Sequence, residues 1–494
     1  MQFNSVHFMV FFPIVVGLYF IMPRKWRSLW LLLASYYFYM SWNVKYATLI
    51  LFSTAATYAG ALFLEKVDSQ AKKKWILTAT LVINLLILAV FKYADFLLDS
   101  ISEGLVLIGF GSFEARLNLL LPVGISFYTF QALGYIIDVY RGDIKAERSF
   151  LRYALFVSFF PQLVAGPIER SKNLLKQVQD IPKFNLWNLE QVSSGAILMV
   201  WGFFLKMVIA DRIGILVDYV FYNYTAYGSV ELILAAMGFA LQIYCDFGSY
   251  SIIAMGAARI MGFTLMENFN TPYFALSIKD FWARWHISLS SWFRDYLYIP
   301  LGGNRKGNLR KNVNKMIVFL LSGLWHGASW NFVVWGGIHG AYQVVSDVTA
   351  PVRKKWLKKW NIKTECFSYK LLQAIITFVL VDFAWVFFRA DSLRHALSYF
   401  KQILLNPNPW VLFNGGVYSL GLDRVEMNIL MFSVLALLCV ELIRYKKGIM
   451  LDAFLKEQNL YFSWLLTIGL IVVIFVYGKY GVNFNPQQFI YFQF

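Results

Sequence analysis

Charged side chains are scarce in this sequence. Asp, Glu, Lys and Arg make up 15% of its 494 residues, against about 25% in an average soluble domain. With 59% hydrophobic and 19% aromatic residues, this excludes an ordinary soluble globular protein. Apolar runs recur from end to end, which also excludes a soluble domain carried on one anchor. Cysteine is scarcer still. Cys245, Cys366 and Cys439 are widely separated and suggest neither a disulfide framework nor a metal site. Acidic residues number 28 against 45 Lys and Arg, a formal charge of +17. That excess lies in short loops between apolar runs, so it marks a positive-inside distribution whose default partner is the lipid bilayer. No aromatic-and-basic motif accompanies it, and nucleic acid is not an expected partner.

The common catalytic signatures are absent as well. No Walker A loop is present, and the glycine-rich pieces lack the Lys-Ser or Lys-Thr that would hold phosphates. There is no G-x-S-x-G elbow and no H-E-x-x-H zinc pair, so no metal is expected. Clear internal repeats and a soluble domain are also missing.

What is present is an all-α polytopic membrane pattern, read as a single domain over residues 1–494. Candidate spans lie at 8–22, 28–43, 45–63, 76–98, 119–139, 193–213, 231–248, 316–331, 333–349, 371–389, 427–444 and 460–479, giving about 11–12 transmembrane helices. No basic stretch precedes residues 8–22, and Pro23 and Arg24 follow them. The first segment therefore reads as a retained helix rather than a cleaved signal. Basic loops at 23–27, 72–74, 140–152, 353–360 and 444–447 are expected to face the cytoplasm, which puts the N-terminus outside.

One apolar segment breaks this parity. "YALFVSFFPQLVAGPIER" (153–170) has basic loops on both sides and is interrupted by Pro161, Gly166 and Pro167. Irregular backbone at membrane depth must be buried in protein or line a wet cavity, so a re-entrant or interfacial piece is expected there. Residues 249–275, which follow "DFG" and contain Gly256 and Gly262, are a second such case. Residues 277–315 alternate aromatic and charged side chains, with eight Lys or Arg and two Asp between Lys279 and Lys315. They read as a cytoplasmic interfacial amphipathic segment. Lys206, Asp211, Arg212, Asp246, Glu267 and Asp382 fall in apolar surroundings and read as internal pairs rather than a transport path.

The five histidines are His7, His286, His326, His339 and His395. His7 and His395 sit near predicted span ends, where a polar ring is unremarkable. His326, in "LSGLWHGASW" (321–330), falls about ten residues into the span that starts near 316, so it is expected near the bilayer midplane. An ionisable residue there is a functional candidate by default, and imidazole suits a general base for hydroxyl activation. A packed neutral ring explains it equally well. Gly323 with Gly327, and Gly336 with Gly340, form small-xxx-small pairs that helix packing alone would require. His286, in "FWARWHISLS", reads either as a wet ring at the headgroups or as a second polar group facing the same cavity. His339 reads as a packing residue.

"FWARWHISLSSWFRDYLYIPLGGNR" (281–305) followed by "LSGLWHGASWNFVVWGGIHG" (321–340) resembles the membrane-bound O-acyltransferase (MBOAT) family. Within it the chain is similar to the bacterial branch that includes the alginate O-acetyltransferase membrane subunit. Further matching stretches are "LPVGISFYTFQALGYIIDVYRG" (121–142), "FFPQLVAGPIER" (159–170), "QIYCDFGSYS" (242–251) and "FIYFQF" (489–494). The resemblance implies helices and re-entrant pieces around a central tunnel, with His326 catalytic and His286 the second signature residue. It implies a bacterial cell-membrane enzyme that passes an acetyl group from a cytoplasmic thioester to an exported polysaccharide such as alginate. The implied donor is acetyl-CoA, or an acyl carrier protein, with no tightly bound cofactor. A separate exported or membrane-anchored serine-esterase-like acetyltransferase is the implied partner. Arg284, Arg294 and Arg305 are candidates for the donor phosphates, although positive-inside loops explain them equally. D-alanyl transfer to teichoic acid, peptidoglycan O-acetylation and a transporter using His326 as a proton relay are the alternatives.

Overall fold

The computed structural model describes residues 1–480 and Phe489, and every regular element among them is helical. Of the "FIYFQF" stretch, only Phe489 lies within the described residues. The chain divides into two compact units, Met1–Met199 with Ile253–Met266, and Val200–Ile252 with Glu267–Phe494. Seven helical stretches are long and apolar enough to cross a membrane: Val44–Lys66, Gln70–Leu107, Leu189–Tyr222, Ser229–Ile260, Phe367–Arg389, Arg424–Lys447 and Leu460–Tyr477. Val6–Ile21 is a shorter apolar helix. Seven membrane-length helices make this an all-α polytopic membrane protein.

The first unit contains α1 (Val6–Ile21), α2 (Arg27–Met40), α3 (Ala47–Lys66), α4 (Gln70–Leu107), α5 (Ile125–Arg141), α6 (Phe150–Ser158) and α7 (Lys176–Asp180), and most of α8 (Leu189–Phe203). Aromatic rings fill the space between α1 and α2, with Phe11 and Phe38 packed on Phe160 at 5.4 and 5.6 Å between centroids. Phe160 belongs to the segment that breaks parity. Helix α6 ends at Ser158, and residues 159–169 run on as buried, non-helical backbone. Such a path needs internal partners for its polar groups. Gln131 Nε2 donates to Phe156 O at 2.6 Å, Gln162 Nε2 donates to Gln131 Oε1 at 3.0 Å, and the Phe160 N–H donates to Ser35 Oγ at 3.1 Å. Gly166 is required by sterics, because a Cβ there would lie 2.4 Å from Gln162 Cα.

The second unit contains α9 (Asp211–Tyr222), most of α10 (Ser229–Ile260), α11 (Ile278–Arg284), α12 (Ile287–Phe293), α13 (Gly307–His326), α14 (Trp330–Lys359), α15 (Phe367–Arg389), α16 (Leu393–Leu405), α17 (Arg424–Lys447), α18 (Leu451–Lys456) and α19 (Leu460–Tyr477). Two of its boundaries differ from the hydropathy reading. The irregular backbone expected at 249–275 begins only after Ile260: α10 runs through Gly256, and the stretch that follows opens with Gly262 at φ +97°. Gly256 instead admits a neighbouring backbone, since a Cβ there would lie 2.5 Å from Gly195 O. Residues 277–315 form two short helices, a π-helical turn at Arg294–Tyr298 and the start of α13. Finally, α13 begins at Gly307, well before residue 316, and stops at His326. Its charged first turns lower the hydropathy without preventing the helix.

The charges placed in apolar surroundings largely find partners. A π-helical stretch, Phe204–Ala210, carries Lys206, whose Nζ lies 2.6 Å from Asp246 Oδ1 and 2.9 Å from Asp211 Oδ1. Arg212 pairs with Glu426, and Arg444 with Glu267 at 3.0 Å. Asp382 is the exception, with one carboxylate oxygen buried and without a hydrogen-bond partner among the described residues. Removing one member of a buried ion group leaves the others uncompensated, at a typical cost of about 3–5 kcal/mol. Lys206→Met should therefore lower the melting temperature of the detergent-purified protein sharply. An unchanged melting curve would show that the Lys206 pairing contributes little.

Candidate functional site

The α13–α14 hairpin positions the central histidine. Lys311 and Lys315 both reach Asp347 Oδ2 at 2.7 Å. Further along, the helices touch through glycines. A Cβ at Gly340 would lie 2.8 Å from Met316 Sδ, at Gly336 2.2 Å from Phe319 O, and at Gly323 2.1 Å from Phe332 O. The packing explanation for these glycines is therefore correct, and it operates between the two helices. Gly327 is closed in by the Phe332 ring, 2.1 Å from its would-be Cβ. The chain leaves the helix at this point, with Gly327 and Ser329 extended. His326 is thus the last residue of α13, at the closed end of a hairpin, and not midway along a continuous span.

Rings surround His326. Trp325 and Trp335 each lie 5.0 Å from it between centroids, Phe388 of α15 lies at 5.5 Å, and His286 at 6.2 Å. His326 is 4% exposed and His286 0%, so the wet-headgroup reading of His286 does not hold in this structure. His286 sits between α11 and α12 with φ +44°, a left-handed conformation that side chains with a Cβ adopt at a cost of about 1–2 kcal/mol. That turn sets the ring against Phe247 at 4.7 Å and Trp325 at 5.7 Å. Burial pushes its imidazole down to about 3, so the ring is neutral at physiological pH.

The tautomer of His286 follows from its partners. Its Nδ1 lies 3.1 Å from Asn268 Oδ1. The Ser288 backbone N–H, which can only donate, reaches the same atom at 3.2 Å. That atom must therefore be the amide oxygen, and His286 Nδ1 must carry the proton. The Nε2 lone pair is left as the acceptor.

His339 is also fully buried. Trp282 Nε1–H donates to its Nδ1 at 3.2 Å, and Trp335 lies between it and His326, 5.0 Å from each. It belongs to the aromatic wall, as its sequence reading suggested. His7 and His395 lie elsewhere. His7 bonds the Tyr37 hydroxyl, and His395 follows the N-cap of α16.

The three candidate arginines differ in availability. Arg284 is held by Asp280 at 2.8 Å and by Thr271 Oγ1 at 3.0 Å. Arg294 is paired with the adjacent Asp295 at 2.8 Å. Arg305 is exposed, in the turn that leads into α13. Sequence reasoning missed Asn268, and also missed Trp385 and Phe388, which α15 brings in from about sixty residues away in the chain. Their separation from the histidines left no spacing pattern to read. Among the described residues, no group of three or more His, Cys, Asp or Glu is placed to hold a metal.

Paired imidazoles enclosed by aromatic rings thus lie in a chain of membrane-length helices. Residues 144–389, which contain both histidines, match the membrane-bound O-acyltransferase family. The chain is 39% identical to a probable alginate O-acetylase, AlgI, of Pseudomonas syringae pv. tomato, over 80% of this chain and 73% of the relative. It is 33% identical to a peptidoglycan O-acetyltransferase of Helicobacter pylori, over 100% of this chain and 97% of the relative. A teichoic acid D-alanyltransferase of Bacillus subtilis is 30% identical over 56% and 71%. The chain belongs to the membrane-bound O-acyltransferase family and is a multi-pass membrane O-acyltransferase.

The hairpin contact makes a direct prediction. Gly336→Ala places a methyl group against the Phe319 carbonyl and must separate α13 from α14. The variant should lose most acyl transfer and melt at a lower temperature. Wild-type activity and stability would mean that the helices can part without moving His326.

Proposed function

We propose that this enzyme passes an acetyl group from a cytoplasmic thioester, acetyl-CoA or an acetylated carrier protein, toward O-acetylation of an exported polysaccharide. The observation that carries this reading is the pair of enclosed imidazoles, His326 and His286. The relatives named as acetylating alginate and peptidoglycan supply the substrate class. In this reading the enzyme lies in a bacterial cell membrane with its N-terminus outside. A serine-esterase-like acetyltransferase on the outer side receives the acetyl group and completes transfer to the glycan.

The chemistry is acyl exchange. His326 removes the proton of the acceptor hydroxyl as its oxygen attacks the thioester carbonyl carbon. A C–O bond forms, the tetrahedral intermediate collapses, the C–S bond breaks, and the thiol leaves with the proton held by His326. His286, whose depressed basicity unsuits it to hold that proton, uses its Nε2 lone pair to orient the hydroxyl. The Trp325 indole N–H is a candidate donor to the developing oxyanion. Arg305 is the most available of the three arginines for donor phosphates, since Arg284 and Arg294 already hold carboxylates.

A peptidoglycan acceptor is the second reading, favoured by the end-to-end similarity to the Helicobacter pylori enzyme. The test is ester-linked acyl content of exported glycan in cells, with enzyme levels in the membrane matched. His326→Ala should lower acylation by about a hundredfold or more, the usual scale for a lost general base, and His286→Ala should also lower it strongly. Normal acylation in His326→Ala would remove the general-base assignment. Mass spectrometry of the released acyl group, and of the sugar that carried it, separates acetyl from D-alanyl and one glycan from the other.

A further inference from the structure

Asn268 lies in the irregular stretch between α10 and α11, eighteen residues before His286, and is 1% exposed. Its amide oxygen accepts from three donors: His286 Nδ1 at 3.1 Å, the Ser288 N–H at 3.2 Å and the Ser288 hydroxyl at 2.9 Å. Its backbone carbonyl accepts the Ile287 N–H at 2.9 Å. The two N–H groups that open α12, which no helical carbonyl can reach, are thus both satisfied by this one residue. On its other side the amide nitrogen donates to Ser251 Oγ of α10 at 3.3 Å. The left-handed turn at His286 is thereby held from outside its own helix pair.

We propose that Asn268 is a positioning residue for acyl transfer: its amide oxygen fixes both the aim of the His286 ring and the tautomer that leaves Nε2 as an acceptor. The inference rests on the site reading above and adds the residue that makes His286 usable. Hydrogen-bonded partners of this kind commonly set which nitrogen of a functional imidazole is free. Without the oxygen, the ring can flip or adopt the other tautomer and present an N–H where an acceptor is needed. A residue that served only to cap α12 would affect stability, not the turnover of the enzyme that remains folded.

Among the described residues, Asn268, Ser288, Phe247, Trp325 and His326 pack around His286, and of these His326 is titratable. Asn268→Asp keeps an oxygen for all three donors. Asn268→Ala removes the oxygen. Glycan-bound acetyl is measured in cells for both variants, beside His286→Ala and His326→Ala, with folded membrane protein quantified. Initial rates of transfer from labelled acetyl-CoA are then followed against donor concentration in membranes from the same cells.

The expected result is at least a tenfold loss of acylation in Asn268→Ala at normal protein level. Asn268→Asp should retain activity, and the loss in Asn268→Ala should fall on kcat rather than on KM for the donor. Wild-type acylation in Asn268→Ala would overturn the proposal, as would an inactive but folded Asn268→Asp or a loss confined to KM. If Asn268→Ala is normal while the two histidine variants fail, this inference alone is lost. If the histidine variants are themselves normal, the underlying site reading falls instead.

Discussion

Away from water, a polar group must find its partner inside the protein or carry the full cost of desolvation. That constraint shapes this chain at every scale. It sets the membrane-length helices, which satisfy their own backbones. It explains why the unwound stretch after α6 is tied down by Gln131, Gln162 and Ser35. It also explains the grouping of Lys206 with Asp211 and Asp246, and the capture of the α12 N-terminus by a single asparagine. The irregular places in the fold are where side chains substitute for missing backbone partners.

The site uses the same rule in reverse. His286 is held neutral in an apolar wall and its one proton is assigned by Asn268, so its remaining nitrogen is a preset acceptor. His326 stands opposite, between two tryptophans and Phe388. The rings exclude water and strengthen whatever electrostatic interactions form between them. An enzyme that transfers acyl groups has reason to keep water from the reacting centre, since hydrolysis would compete with transfer.

Much of this was legible in the sequence. Long apolar runs announced the helices, and charge parity together with Pro161, Gly166 and Pro167 marked the unwound segment. The histidine motifs singled out two imidazoles that the structure brings to 6.2 Å between centroids. What hydropathy missed was register. A window average cannot see that Gly327 through Ser329 end α13 just after His326, because alanine, glycine and tryptophan continue the apolar signal. It also assigned the charged start of α13 to the interfacial segment, and began the irregular backbone at 249, before Gly256, which sits inside α10 and serves a close backbone approach. Asn268 was invisible for a different reason. Its role depends on one three-dimensional contact, and nothing in "ENFNTPYF" points to a ring eighteen residues away.

The doubled construction of α13 and α14 has a mechanical consequence. A single helix bends readily with the fluid around it. Two helices joined along their length, by Lys311 and Lys315 on Asp347 at one end and by glycine contacts through Gly323 at the other, behave as a composite beam. Such a beam resists flexure far better than either member alone. His326 is mounted at its tip, so the reactive ring should keep its aim while the surrounding lipid changes thickness or lateral pressure.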